Sequence, residues 1–331
     1  MSPHPLKAAV KRGALIAAAN WQVTLIQASA ASLFRLLLAV PVVGSLFLVA
    51  LAIGRDPSSL MSLAWRDMSA TIALSLMSHP TVLAMCGLAI AVVVVGGSLF
   101  VVLVRAGTVA TLVQGDRHAG PLEEPPLRFP VMARASRFSI DGYLASASSL
   151  FPRYARLCLI LIGVYAASRF GFLLMVTGRG QPEGWGLAAL LAATFVLWIT
   201  GINLTYLLVQ VVVAADNCSV MVAVYRVAFF LRREAVNIGS VFLLLLGLVV
   251  IATGASILAT VALGLVAFVP FVGLAVLSLQ VLAWLLRGLV FQCLSLTAVG
   301  AFLKLYGTFT GRSRDGQVVA IPVNDQVSFE S

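Results

Sequence analysis

Six long apolar stretches take up most of the chain and leave few choices of fold. A helix needs roughly 20 residues to cross a hydrocarbon core of about 30 Å. In that medium backbone N–H and C=O groups must be paired within the structure, which favours helices over open sheets. Spans are predicted at about 34–54, 82–104, 157–177, 186–214, 236–264 and 273–303. Composition agrees, with 61% hydrophobic residues, 10% charged residues and a mean hydropathy of +1.04. The expected fold class is all-α: a polytopic membrane helix bundle with six transmembrane helices and amphipathic surface helices. Residues 1–306 are expected to form one six-span domain, and 307–331 a polar, loosely ordered tail. With the spans and their connections counted, no segment is long enough for a separate soluble catalytic domain.

The basic residues set an orientation. Most of the 22 Lys and Arg fall in four segments. These are the N-terminus (Lys7, Lys11, Arg12), the 105–156 connection (seven arginines), the 215–235 connection (Arg226, Arg232, Arg233) and the C-terminus (Lys304, Arg312, Arg314). The opposite connections carry only Arg55, Arg66 and Arg179. Cytoplasmic loops collect Lys and Arg, so both termini are expected in the cytoplasm, and six spans have the parity this requires. The net charge of +10 thus reads as span-end charge facing anionic lipid, and nucleic acid is not expected as a partner.

The connections carry local signals. Residues 5–33 read as an amphipathic segment on the membrane surface, with Trp21 in the headgroup region. Asn20, Trp21 and Gln22 interrupt the apolar run Gly13–Ala19, which argues against a cleaved signal peptide despite Ala28-Ser29-Ala30. A connection with helical character is expected over 55–80, around Trp65, Arg66 and Asp67. In the 105–156 connection the prolines near 121–126 exclude regular helix. Beyond them arginines alternate with aromatics (Phe129, Arg134, Arg137, Phe138, Tyr143, Phe151, Arg153). That pattern suits a membrane-surface segment with snorkelling arginines or a docking surface for a partner. Residues 178–185 form a short glycine-containing loop, and a tight turn falls at Pro270. The 215–235 connection opens with helix-capping residue types at 216–219. Val220, Val224, Val227 and Leu231 then recur at helical spacing, ending in Arg232 and Arg233, so a surface helix with one apolar face is expected.

Few residues can carry chemistry. The four cysteines are scattered singly, so neither a disulfide framework nor a zinc site is expected. The three histidines lie outside the spans, and no metal-ligand, phosphate-loop or nucleophile-elbow motif is present. No cofactor, metal or enzymatic activity is expected. Two arginines, Arg169 and Arg287, fall near mid-span, where an Arg costs about 2.5–3.5 kcal/mol on insertion scales and often marks function. None of the 12 acidic residues lies inside a predicted span. Asn203, Thr205, Gln280 and backbone carbonyls are the candidates for satisfying the two arginines, which then either hold an anion such as a lipid phosphate or act as polar glue between helices. In span five, Ala252, Ser256, Thr260 and Gly264 form a ladder of small residues that would let another helix approach, within the bundle or from a partner.

The stretch Val211–Val220 with Arg226, Phe229 and Arg232 leads from a span through a polar turn and a surface helix into the next span. Gly107-Thr108-Val109-Ala110 to Gly115-Asp116 is its counterpart after span two. This pattern resembles bacterial six-span proteins related to the membrane domain attached to some glycerophosphodiester phosphodiesterases. The resemblance implies a six-helix bundle but carries no activity, since the phosphodiesterase domain has no counterpart here. The resulting expectation is a non-catalytic accessory or scaffold subunit of a membrane complex, in a bacterial inner membrane. The alternative is a protein that binds or transports a lipid or anionic solute through its mid-membrane arginines. Its partners would be membrane lipids and a membrane protein or a second copy of itself.

Overall fold

The computed structural model describes residues 5–53, 78, 80–120, 122, 129–136, 138–178, 185–267 and 273–314. The connection around Trp65, Arg66 and Asp67, the prolines 121, 125 and 126, Arg137, residues 179–184, the turn at Pro270 and the chain beyond 314 lie outside the described residues.

Among the described residues there is no strand. The helices are α1 (Pro5–Ala19), α2 (Trp21–Ile53), α3 (Pro80–His118), α4 (Phe129–Ala135), α5 (Ile140–Gly178), α6 (Trp185–Asp216), α7 (Val220–Ala267) and α8 (Gly273–Arg314). Six of them, α2, α3 and α5 to α8, are long and apolar enough to cross a membrane. The protein is an all-α, multi-pass membrane protein. Its helices overrun the predicted spans. The 39 residues of α3 would measure about 58 Å at 1.5 Å per residue, so much of the expected 105–156 connection is helix continuing from α3 or leading into α5.

The chain divides into two compact units, Leu25–Arg105 and Met1–Thr24 with Ala106–Ser331. In the first, the ring of Phe34 on α2 lies against Gly97 of α3, where a Cβ would have no room. The outer faces carry Val40, Leu88 and Val92, all more than three-fifths exposed, as suits side chains solvated by lipid.

In the second unit α1 packs along α8 and also touches α4 and α7; α7 and α8 pair, α6 touches both, and α5 packs on α6 and α7. The core gathers at one end. Ile16, Leu112, Tyr154, Leu208, Phe230, Ile238, Leu296 and Phe302 are each less than 2% exposed there. Toward the other end Leu159, Leu197, Leu258 and Leu282 face outward. Lipid tails are as apolar as leucine, so these positions gain nothing from helix packing.

The stretch 5–33, expected as one amphipathic segment, is instead divided: α1 packs along α8, and residues 21–33 begin the long helix α2. A Cβ on Gly13 would collide with the Thr297 carbonyl oxygen and lie 2.6 Å from the Ala301 nitrogen, and one on Gly300 would lie 2.7 Å from the Gly13 Cα. Ala9, Gly13 and Ala17 thus form the small-residue face that lets two backbones meet. Ala9, Arg12, Ile16, Ala17 and Ala19 are buried, while Lys7, Lys11, Ala14 and Ala18 stay exposed. The chain breaks at Asn20, whose side-chain amide donates to the carbonyls of Ile16 and Ala135 at 3.0 Å each. At the other terminus α8 continues past the expected tail start at 307, because Phe309 is buried against Phe230, ring centroids 5.1 Å apart. Both described ends of the chain therefore lie at the packed end of this unit.

Replacing Gly13 or Gly300 by Val forces backbone apart from backbone, since no side chain can move away. Each substitution is expected to cost at least the 1–3 kcal/mol typical of overpacking, about that or more. Thermal unfolding in mild detergent checks this, with Gly201→Ala, where nothing lies within 4 Å, expected to leave the midpoint unchanged.

Candidate functional site

Two polar clusters hold the packed end together. The first surrounds the turn between α6 and α7. Asp216 is the last residue of α6, and Asn217 follows with φ +49°, a left-handed conformation that Asn tolerates better than most residues. Arg226 of α7 donates to the Asp216 carboxylate at 2.6 Å, and the Tyr306 hydroxyl of α8 donates to the same oxygen. Arg117 of α3 donates to the Ala215 carbonyl, and Arg153 of α5 donates to the carbonyl of Asn217 at 2.9 Å and to its side-chain oxygen. Four helices thus converge on one turn. Burial and then the Asp216 charge push the Cys218 thiol up, so it stays protonated and is a poor nucleophile.

The second cluster centres on Arg12. Its guanidinium donates to the Asp116 carboxylate at 2.6 Å, to the Asp116 carbonyl at 3.0 Å and to the Gly120 carbonyl at 2.7 Å. The glycines of the Gly107–Asp116 stretch are contact points. A Cβ at Gly107 would lie 2.8 Å from the Tyr143 ring, and one at Gly115 would lie 2.8 Å from the Ala135 carbonyl oxygen. The expected apolar face of the surface helix shifts by one position in two places. Val220, Ala223, Val227 and Phe230 are buried, whereas Val224 is 41% exposed. Phe230 takes the inward place because Tyr306 and Phe309 receive it.

The membrane-spanning part holds a different kind of feature. Between α7 and α8 lies an open groove of about 530 Å³. Its α7 wall is mostly small, with Ala252, Ala255, Ser256, Ala259 and Thr260 leading to Leu263. Its α8 wall is Gln280, Trp284, Arg287 and Phe291, with the Arg287 guanidinium 5.7 Å from the centroid of the Phe291 ring, within cation–π range. Among the described residues no His, Cys, Asp or Glu lines it. The Thr260 hydroxyl donates to the Ser256 carbonyl at 2.8 Å.

The structure brings together Arg287, Gln280, Ala252, Ser256 and Thr260, which the sequence had assigned to two separate features. Arg169 and Asn203 are not among the groove walls. Arg169 is exposed on α5, and Asn203 on α6 accepts a hydrogen bond from Tyr165. Next to Arg169, Ser168 accepts a hydrogen bond from the Trp198 indole at 3.0 Å. Thr205 bonds back to the Gly201 carbonyl at 2.9 Å. Gly264 has nothing within 4 Å of its Cβ position, so the upper part of the ladder borders open space. Trp284 and Phe291 were missed. The available signal was Trp284 itself, a tryptophan well inside a span, whereas Trp concentrates at interfaces.

Comparison with family models, with curated proteins and with solved structures finds no match for this chain. What the groove can do follows from its described walls: they offer a cation, an amide and two hydroxyls within an apolar slot.

Asp216→Ala removes the acceptor shared by Arg226 and Tyr306. It is expected to cost about 1.5–3 kcal/mol, the range for hydrogen bonds to charged groups, read as a lower unfolding midpoint in detergent. Asp216→Asn, which keeps an acceptor for Tyr306, should lose less.

Proposed function

We propose that this protein is a non-catalytic membrane protein that holds an anionic amphiphile in the groove between α7 and α8, with Arg287 as the counter-charge. The observation that carries this reading is the exposed Arg287 on the wall of a mostly apolar groove that has no acidic residue among its described lining. A guanidinium at such a position costs about 2.5–3.5 kcal/mol on insertion scales, and a phosphate or carboxylate drawn from the bilayer would offset that. The volume lies within the 300–1,000 Å³ of small-ligand sites, roughly a single-ligand size. Gln280 and Ser256 supply further polar groups, and Trp284 with the alanines of α7 gives apolar surface for a chain.

A second reading is an accessory subunit of a membrane complex. The alanines and Ser256 on the α7 wall support it, because a helix from a partner or a second copy could lie against so small a surface. For either reading we place the protein in a bacterial inner membrane with the packed end cytoplasmic. Support for this comes from the basic segments that meet there, through Arg12, Arg117, Arg153 and Arg226, and from the positive-inside rule.

Native mass spectrometry of the protein extracted in mild detergent separates the readings. Retention of one anionic lipid by the native chain and by Arg287→Lys is expected, with loss in Arg287→Leu and no change in Arg169→Leu. Retention that ignores Arg287, or equal retention of phosphatidylglycerol and phosphatidylcholine, would sink the amphiphile site. A stoichiometric protein partner released by Ser256→Leu would establish the subunit reading instead.

A further inference from the structure

The first arm of α7, residues 220–233, has two apolar faces. One is packed inward through Val220, Ala223, Val227 and Phe230. The other is open: Met221 is 75% exposed and Tyr225 60%, with Val222 and Val224 partly exposed on either side. Arg232 and Arg233 end the arm on the surface, the latter held 5.0 Å from the Phe229 ring centroid. At Glu234 the backbone leaves helical geometry (φ −115°, ψ 24°) and the chain turns into the span. Val236, immediately beyond, is 81% exposed, and Leu243 is 66% exposed.

The arm's position constrains what can cover that open face. Val220 follows α6 after a three-residue turn, and Arg233 immediately precedes the apolar part of α7. Both ends of the arm thus lie where spans leave the apolar layer. A helix of about 14 residues is about 21 Å long; held at both ends to one level, it runs along the membrane surface. Met221, Tyr225, Ala228 and Arg232 follow the helical period and share an exposed side of the arm. Beyond the kink Val236 and Leu243 are exposed as well, so the open surface goes on into the span.

We infer that this arm is an anionic-lipid contact: Met221, Val222, Val224 and Tyr225 enter the headgroup–acyl boundary, and Arg232 and Arg233 bind lipid phosphates. Tyr belongs at that depth because its ring is apolar and its hydroxyl polar. The arginines reach the phosphates while their stems stay in the apolar layer. The inference is independent of the groove, since it uses the opposite end of α7 and none of the groove residues.

The test is photo-crosslinking of the full chain in vesicles of equimolar phosphatidylglycerol and phosphatidylcholine. p-Benzoylphenylalanine replaces Met221 or Tyr225 in turn, with Leu243 as the lipid-facing control and Lys11 as the aqueous one. Expected are phospholipid adducts at 221, 225 and 243 and none at 11, with phosphatidylglycerol enriched severalfold at 225. Replacing both arginines (Arg232→Gln with Arg233→Gln) should abolish that enrichment while the adduct at 243 persists, which shows a folded, inserted chain. A cross-link to a second copy or another protein at 221 and 225, or no adduct there while 243 labels, overturns the lipid contact. Adducts without phosphatidylglycerol enrichment overturn the role of the arginines.

Discussion

Asp116 and Asp216 each place a carboxylate in the last turn of a long helix, where the aligned peptide dipoles already amount to about half a negative charge. Left alone, each would weaken its helix end. Instead Arg12 and Arg226 neutralise them at 2.6 Å, and Arg117 and Arg153 take up the free carbonyls of Ala215 and Asn217. The cations come from α1, α3, α5 and α7, so satisfying the ends of α3 and α6 ties these two helices together and fixes the places of α1, α5 and α7. Arg12 at the middle of α1 ties it to the end of α3, Asn20 at its end ties it to α4 through Ala135, and between them Gly13 meets Gly300 of α8. The packed end of the unit is therefore a polar solution to a dipole problem, filled in by apolar packing around it.

The groove has the opposite origin. Where α7 presents Ala252, Ala255, Ser256 and Ala259, it contributes little volume, and α8 answers with Trp284, Arg287 and Phe291 at the edges of the space. A row of small residues permits close approach but does not compel it. Here the close approach is made elsewhere, and the same kind of row leaves room. This separates two meanings of a four-residue small repeat. At Ala9, Gly13 and Ala17 a partner backbone is pinned on top of it, whereas at Ala252, Ser256 and Thr260 the facing helix is held off by large side chains.

The spans were legible because hydrophobic length is a property of single segments, and six apolar helices follow from it. The α1 docking was harder to see. Its apolar run is short and begins among lysines, which reads as an interfacial helix, yet the spacing of Ala9, Gly13 and Ala17 was there as a packing signal. What could not be read was its partner, since Thr297, Gly300 and Ala301 are ordinary residues inside an apolar span. The surface helix was legible as a helix but not in its rotation. Val224 counts as apolar on any scale and Ala223 barely does, but the small residue is the one that fits against the core, while Phe230 is drawn inward by Tyr306 and Phe309. For the groove, the chemistry-bearing residues were identifiable one by one. Which of them share a space depends on which helices pair: Arg287 stands on α8 facing α7, whereas Arg169 stands on α5.

The two mid-span arginines, both exposed, differ in what lies beside them. Both carry the same charge near the same expected depth, and neither predicted span supplies an acid. Arg169 projects from an exposed face of α5, where a flexible stem can reach toward the interface. Arg287 is exposed as well, but it stands on a groove wall with its guanidinium 5.7 Å from the Phe291 ring centroid, an interaction worth about 0.5–2 kcal/mol. That is less than the insertion cost of about 2.5–3.5 kcal/mol, so the ring alone does not balance the charge. The remainder has to come from polar groups reaching the groove, and its described walls provide an amide and hydroxyls. An anionic ligand is therefore proposed from the groove rather than from the mid-span position itself.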